Sequence, residues 1–592
     1  MKRNALALGV AAAFGLIGTA QAQPIANPAA AAAQFQFDRD AVGHVLIAEH
    51  VSAANGNGTN INIVNTDSKN GKVVKVRVRS AVNSDDLFDF TLLLSPSDMW
   101  TGVITTNPAT GKGALVTRDK SCTLPDIGGG KYNDFLTNRL PASLTAEETA
   151  NWTREGYVEI LNMADIPGPG TPAYIADTGY TDPANVELTS GRLFKTVKHV
   201  KGVAPCDTSI LNTGAYGSYF KDMEAANKRG LDFPTGGLFG NLSLINGSTN
   251  MAFSNELAAI RATVDGKNAA ANFVWSPQNK GTIKGGADLW TSDPLHRTDQ
   301  VSGANRVLLP GALGGVNIGI LAVEIPLPRV QAYANDMPDL STPYVGPATT
   351  KLDPLNSVGA LMQQLAVTSL SNEFFNNSSY GGRTDWTMSN PLRRYQVAMD
   401  YEADNLRDDL VAAYDGRVYT LPATLLGGGA VPANWVQYYD RDNTQLDTRR
   451  GKRICVKTQG MSQWDREETT IVDGFDLSPS LPGGLNFCGE VTVLSFGALN
   501  PSGETSVLGA RAAVSTISTA FTEGWAKINT SNPGSITGQA RSRSGDRGLP
   551  LLGHAYMKAT GVPAPGMTTN YGLSYMHRVE RFGATRAASN PQ

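Results

Sequence analysis

Apolar and charged positions alternate most clearly between Asn65 and Gly102. Val74, Val76 and Val78 interleave with Lys75, Arg77 and Arg79, the two-residue period of a strand with one row in a core and one in water. After a polar break at Asn83 to Asp86 the alternation resumes, with Phe88, Phe90, Leu92 and Leu94 on one face and Asp89 and Thr91 on the other. Two such strands predict an antiparallel pair with one solvated face. The polar connection between them reads as a contact or ion site at a domain tip.

Short β-branched or aromatic runs recur along the chain. His44 to Ile47, Asn60 to Val64, Ala114 to Thr117, Tyr157 to Met163, Ile454 to Thr458 and Glu490 to Phe496 read as strands, and Ser506 to Ile528 as one or two more. Leu238, Leu242 and Leu244 suggest another, whereas Asn255 to Ala262 fits a strand or a short helix equally well. Helical signals are fewer. Thr145 is placed to cap a short helix with Glu147 and Glu148 in its first turn. Tyr219 to Arg229 looks helical with Gly230 as its stop, and Ser357 to Phe374 carries Val358, Leu361, Met362, Leu365 and Leu370 at helical spacing.

The expected fold class is therefore mainly β and multidomain. An N-terminal β-sandwich-like domain over 36–206 precedes a middle β-rich region or insertion over 207–345 and a C-terminal β-rich domain over 346–592, with a few short helices. No fixed-period repeat is visible, which argues against a solenoid or propeller.

Residues 1–22 change the picture of where such a chain works. Lys2 and Arg3, the apolar run Ala5 to Ile17 and the small residues of Ala20-Gln21-Ala22 form a secretory signal, with cleavage expected after Ala22. Gln23 rather than Cys follows, so no lipoprotein-type acylation is expected, and residues 23–35 form an Ala/Pro-rich flexible lead-in. No later run of about 18 apolar residues predicts a helical membrane anchor. Secretion to the cell surface or the extracellular space, in preference to the periplasm, is the expected localisation.

Charge and cysteine usage fit that setting. Of 50 basic residues Lys2 and Arg3 leave with the signal, so 48 face 53 acidic ones, a difference of −5 that argues against nucleic acid as a partner. Cys122, Cys206, Cys455 and Cys488 are even in number and suggest two disulfides. The wide gap between the two pairs favours Cys122–Cys206 and Cys455–Cys488. No CxxC spacing supports zinc.

Candidate chemistry is sparse. The chain has no HExxH, GxxxxGK[ST], GxSxG or CxxCH motif. His296 lies near Asp293 and Asp299, but no serine can be nominated beside it and it reads as a surface-loop histidine. Asp440, Asp442, Thr444 and Asp447 have oxygen side chains at spacing that could wrap Ca2+, against the plainer reading of an Asp-rich hairpin turn. Trp464, Asp465, Glu467 and Glu468 set an aromatic beside carboxylates, as a glycosidase or a sugar-stacking site would, although neighbouring acids on a strand alternate faces. Asp385, with Trp386 over the join, reads as a clamp to Arg393 or Arg394.

Several segments in order, NSDDLFDFTLLLSPSDMWTG, SCTLP around Cys122, REGYVEI, NEF with TDW and NPLRR, WDREE and GLPLLGH, are spread over nearly the whole mature chain. Together they resemble a group of uncharacterised secreted proteins of Gram-negative bacteria, mostly proteobacteria, labelled as cell-surface proteins. Asn390-Pro391-Leu392-Arg393-Arg394 stands where those relatives carry a Pro-Thr-Lys-Arg type segment. The resemblance implies an exported surface protein and carries no catalytic residues with it.

The function expected is that of a non-enzymatic cell-surface structural protein. It would self-assemble as a surface layer, filament or matrix component, with itself or with envelope and extracellular polymers as partner. An adhesin or carbohydrate-binding protein using Trp464, Trp386 or Trp525 is one alternative, and a secreted hydrolase with an unrecognised site is another.

Overall fold

A computed structural model describes residues 23–25, 32–38, 42–177 apart from 83, 85, 138–139 and 141–143, 189–211, 230–275, short stretches between 279 and 345, 360–361, 364–392, 446–447, 453–473 apart from 459, 485–530 and 548–581 apart from 565–566. The signal-like segment 1–22, the helix expected at Tyr219 to Arg229, His296, Asp440, Asp442, Thr444, Arg393 and Arg394 lie outside the described residues.

The opening pair forms as the alternation predicts. Gly71–Ser80 and Asp86–Leu94 run antiparallel, with Val74 opposite Leu92, Val76 opposite Phe90 and Arg77 opposite Asp89. The expected solvated face does not exist. Lys75, Arg77 and Arg79 are 0 % exposed, as are Ser84 and Thr91, and the connection at Ser84 and Asp86 is buried rather than a tip. The second half of the chain covers this face. Tyr157 Oη donates to the Pro391 carbonyl (3.4 Å) and Tyr344 Oη to that of Asn162 (3.0 Å), while Asp339 stands 3.7 Å from Arg79.

Buried charges must be paired, and the register supplies the pairs. Lys75 faces Asp89 at 3.6 Å, Arg77 faces Asp86 at 3.8 Å, and Arg79 Nε meets Glu159 at 3.1 Å. Burial still pulls Lys75 down to about 8 against the opposing pull of Asp89. A one-residue slip would set charges against the valine core, so the ladder of pairs also fixes register.

Both strands belong to an eight-stranded sheet. Its order is Lys267–Asn268, Ala258–Val264, Val45–Ser52, Glu155–Ile166, Gly71–Ser80, Asp86–Leu94 and Cys122–Leu124, with Gln34–Asp38 also on Ala258–Val264. A six-stranded sheet packs on it in the order Asn133–Asp134, Gly113–Val116, Met99–Thr106, Asn57–Asn65, Leu238–Asn246 and Met251–Glu256. Their inner faces, including Val76, Val78, Ile160, Ile61, Ile63, Trp100 and Leu242, form one apolar core.

Two expectations change here. Leu238–Asn246 pairs along its whole length with Asn57–Asn65, so the sandwich recruits strands well past residue 206. Pairing between segments so distant in sequence leaves no local mark. The lead-in also contributes strands, because Gln23–Ile25 pairs with Phe273–Trp275 and Gln34–Asp38 with Ala258–Val264. The Asn255 to Ala262 ambiguity resolves as strand, in Met251–Glu256 and Ala258–Val264. The helix Ala146–Trp152 forms with Thr145 as its cap, in a reciprocal box with Glu148. Cys122 and Cys206 are disulfide-bonded across a separation of 84 residues.

A second sandwich follows. One five-stranded sheet runs Thr470–Asp473, Gly460–Trp464, Glu523–Asn529, Ser369–Phe375 and Arg578–Glu580, and the other Val514–Ile517, Val491–Phe496, Arg383–Ser389, His554–Ala564 and Met567–Met576. Trp386, Phe374, Phe496, Ile528 and Met557 fill the space between them. Ser369–Phe375 is thus a strand, not the end of the helix expected over Ser357 to Phe374. Leu370, Asn372 and Phe374 point inward at a period of two once Glu523–Asn529 pairs alongside, and ladder bonds outweigh weak helix propensity. Cys455 stands opposite Cys488 in a small separate ladder, and Cys488 is disulfide-bonded. No helix among the described residues is long and apolar enough to cross a membrane.

Candidate functional site

The two sandwiches meet where the Val45–Ser52 strand is irregular. Ala48 pairs with Val158 and Val51 with Gly156, so Glu49 and His50 together oppose the single residue Tyr157. An extra residue of this kind bends a strand and re-aims its side chains. Glu49 and His50, which regular alternation would send to opposite faces, both approach the His554–Ala564 strand of the second sandwich. His554 Nδ1 sits against the Glu49 carboxylate, and the His50 ring centroid lies 6.3 Å from that of Tyr556.

His554 and Tyr556 are two residues apart and share a face of their strand. Asn255 Nδ2, from the edge of the first sandwich, donates to Tyr556 Oη at 2.8 Å, and Phe253 meets the Tyr556 ring edge-on at 5.1 Å. Thr387 Oγ1 donates to the His554 carbonyl at 3.3 Å, and His577 Nε2 lies 2.9 Å from the Thr387 carbonyl oxygen. Gly572 permits the close approach, since a Cβ there would stand 2.9 Å from the Ala252 carbonyl oxygen. Glu49, His50, His554 and Tyr556 are all at most 4 % exposed.

Enclosure sets the electrostatics. Burial, with His554 beside it, lowers His50 from 6.5 to about 4, and neither of its ring nitrogens has a hydrogen-bond partner among the described residues. Burial and the Glu49 carboxylate raise the Tyr556 hydroxyl well above its usual range. A carboxylate–histidine pair beside a tyrosine can hold and exchange protons. Among the described residues no set of three or more His, Cys, Asp or Glu side chains is arranged to hold a metal ion.

Those residues nominated from sequence that the structure describes fall elsewhere. The arginines expected to pair with Asp385, Arg393 and Arg394, lie outside the described residues. Asp385 Oδ2 accepts from the backbone N–H groups of Val507 (3.0 Å) and Leu508 (2.9 Å). Trp386 is fully buried on the opposite side of the strand and donates to the Glu373 carbonyl at 3.0 Å, so it offers no platform to a sugar. Asp447 lies in a two-residue strand opposite Arg453. Asp465 Oδ1 accepts from Glu467 N (2.9 Å) and Thr469 N (2.8 Å) and so shapes a turn, while Glu467 and Glu468 are exposed. Trp464 stacks on Trp525 of the neighbouring strand, with ring centroids 4.1 Å apart and planes at 11°, and Trp525 is 40 % exposed.

Glu49, His50, His554 and Asn255 were not nominated from sequence. One signal was present, since Glu49-His50 is an adjacent polar pair inside the apolar run VLIAEHVS. Comparison with protein families, curated proteins and solved structures finds no match for this chain.

Proposed function

We propose that this is an exported structural protein of the cell exterior that associates laterally with copies of itself or with envelope polymers. The outward face of the six-stranded sheet supports the reading. Met99, Val64 and Phe239 form one cross-strand row, Thr101, Asn62 and Asn241 the next, and Val103, Asn60, Ser243 and Ser254 a third. These residues carry no charge, the second row ending in exposed Glu256 at the sheet edge, and Met99, Val103, Phe239 and Ile245 are exposed. Broad faces depleted of charge and studded with apolar side chains are the composition of interface centres. Sedimentation velocity of the mature protein is expected to show concentration-dependent oligomers that Asn62→Lys and Asn241→Lys together reduce to monomer. A wild-type protein that stays monomeric and is absent from envelope fractions would overturn the reading.

The Trp464–Trp525 pair favours a second reading, glycan binding. Glu373 and the Arg466–Glu523 ion pair at 3.3 Å flank the half-buried Trp464 and exposed Trp525 rings, and an open indole face can stack on a sugar. Trp525→Ala is expected to abolish any signal on a glycan array. Binding that survives the change, or no binding by wild type, removes this reading.

A further inference from the structure

We propose that the junction between the two sandwiches is an acid-sensitive latch, held shut by neutral His50 and by His554 against Glu49, and released when His50 takes up a proton. The inference stands apart from the lateral association proposed above and rests on the irregular strand at Glu49-His50. That irregularity turns both side chains into a closed contact that joins one sandwich to the other. A protonated His50 there would carry two N–H donors with no acceptor among the described residues, the circumstance that makes a buried charge most costly.

Among the described residues no carboxylate hydrogen-bonds either His50 ring nitrogen. From its own strand comes Glu49, which His554 already engages. From the His554–Ala564 strand come His554, whose charge opposes a second positive charge, and Tyr556, whose hydroxyl accepts from Asn255. The neighbouring Glu155–Ile166 strand presents Tyr157, whose hydroxyl bonds Ser84 and Pro391. From Met251–Glu256 comes uncharged Asn255 and from Arg383–Ser389 uncharged Thr387. Asp385, two residues before Thr387 and opposite Tyr556, accepts at Oδ2 from the backbone of Val507 and Leu508, and Lys558, two beyond Tyr556, donates to the Ser506 carbonyl. Opening the junction admits water, which satisfies both N–H groups.

The direction follows from His50 lying at about 4 in the closed junction against 6.5 when free. Closure is fully favoured above about 6.5 and is lost progressively as pH falls toward about 4, by up to about tenfold in the closed-to-open ratio per pH unit for this one proton. Small-angle X-ray scattering of the intact mature protein between pH 7.5 and 4.5 reads the opening directly. Wild type is expected to expand reversibly below pH 6.5 with its far-UV circular dichroism unchanged. His50→Gln, which cannot titrate, is expected to stay compact to pH 4.5, and His50→Asn serves the same purpose if His50→Gln fails to accumulate. A wild-type junction that stays closed at pH 4.5, or a non-titrating variant that opens at the same pH as wild type, overturns the latch.

Discussion

Lys72→Met is expected to lower the unfolding free energy of the first sandwich by about 3–5 kcal/mol, the usual cost of breaking a buried ion pair by removing one partner. Lys72 is fully buried. Its Nζ lies 2.8 Å from both Asp165 carboxylate oxygens and 2.8 Å from Thr235 Oγ1, with Asp67 at 3.4 Å. Asp165 is equally enclosed, and burial raises its carboxyl above the usual range even with Lys72 in place. Without the ammonium that carboxylate must take up a proton or draw in water, and either lowers stability. The double variant Lys72→Met with Asp165→Leu removes the stranded charge as well, and should recover all but about 1–2 kcal/mol of the loss. Urea titrations followed by circular dichroism measure both. A single-variant loss below about 1 kcal/mol would show that the pair is not buried as described.

Trp386→Ala is expected to cost the second sandwich about 3–5 kcal/mol, in the range of large aromatic truncations in a core. The ring packs on Phe496 with centroids 4.8 Å apart and on His577 at 5.1 Å, and its Nε1–H donates to the Glu373 carbonyl. Truncation removes the transfer energy, leaves a cavity between the sheets and strands that carbonyl. Trp386→Phe keeps most of the volume and should lose only about 1–2 kcal/mol. Trp525→Ala, on the solvent face of the adjoining sheet, should change stability by less than about 1 kcal/mol. Equal losses at Trp386 and Trp525 would contradict the assignment of one to the core and the other to the surface.

These residues show how far local pattern carried. Val74, Val76 and Val78 were legible as one buried row because strand alternation is a property of adjacent residues, and the Thr145–Glu148 cap because all its atoms lie within one turn. Lys75, Arg77 and Arg79 were legible as a row but not as buried. Their covering partners, Asp339 and Pro391 among them, come from more than 200 positions away. Ser369–Phe375 was misread for a related reason, since residues compatible with both periods take the one that their neighbouring strand imposes. Glu49-His50 was visible only as a blemish in an apolar run, because its meaning depends on Tyr157 beside it and on His554 some 500 residues later.

By itself, then, the sequence determined a mainly β chain, the position of several of its strands and the Cys122–Cys206 pairing, since period, turn composition and cysteine placement are written locally. Tertiary structure alone decided which faces are wet, which strands from past residue 206 complete the first sandwich, and that Glu49, His50, His554 and Tyr556 share one enclosed junction. The physical reason is that solvation and charge pairing depend on what comes to lie opposite a residue in space. In a sandwich of distant strands that neighbour is seldom close in sequence.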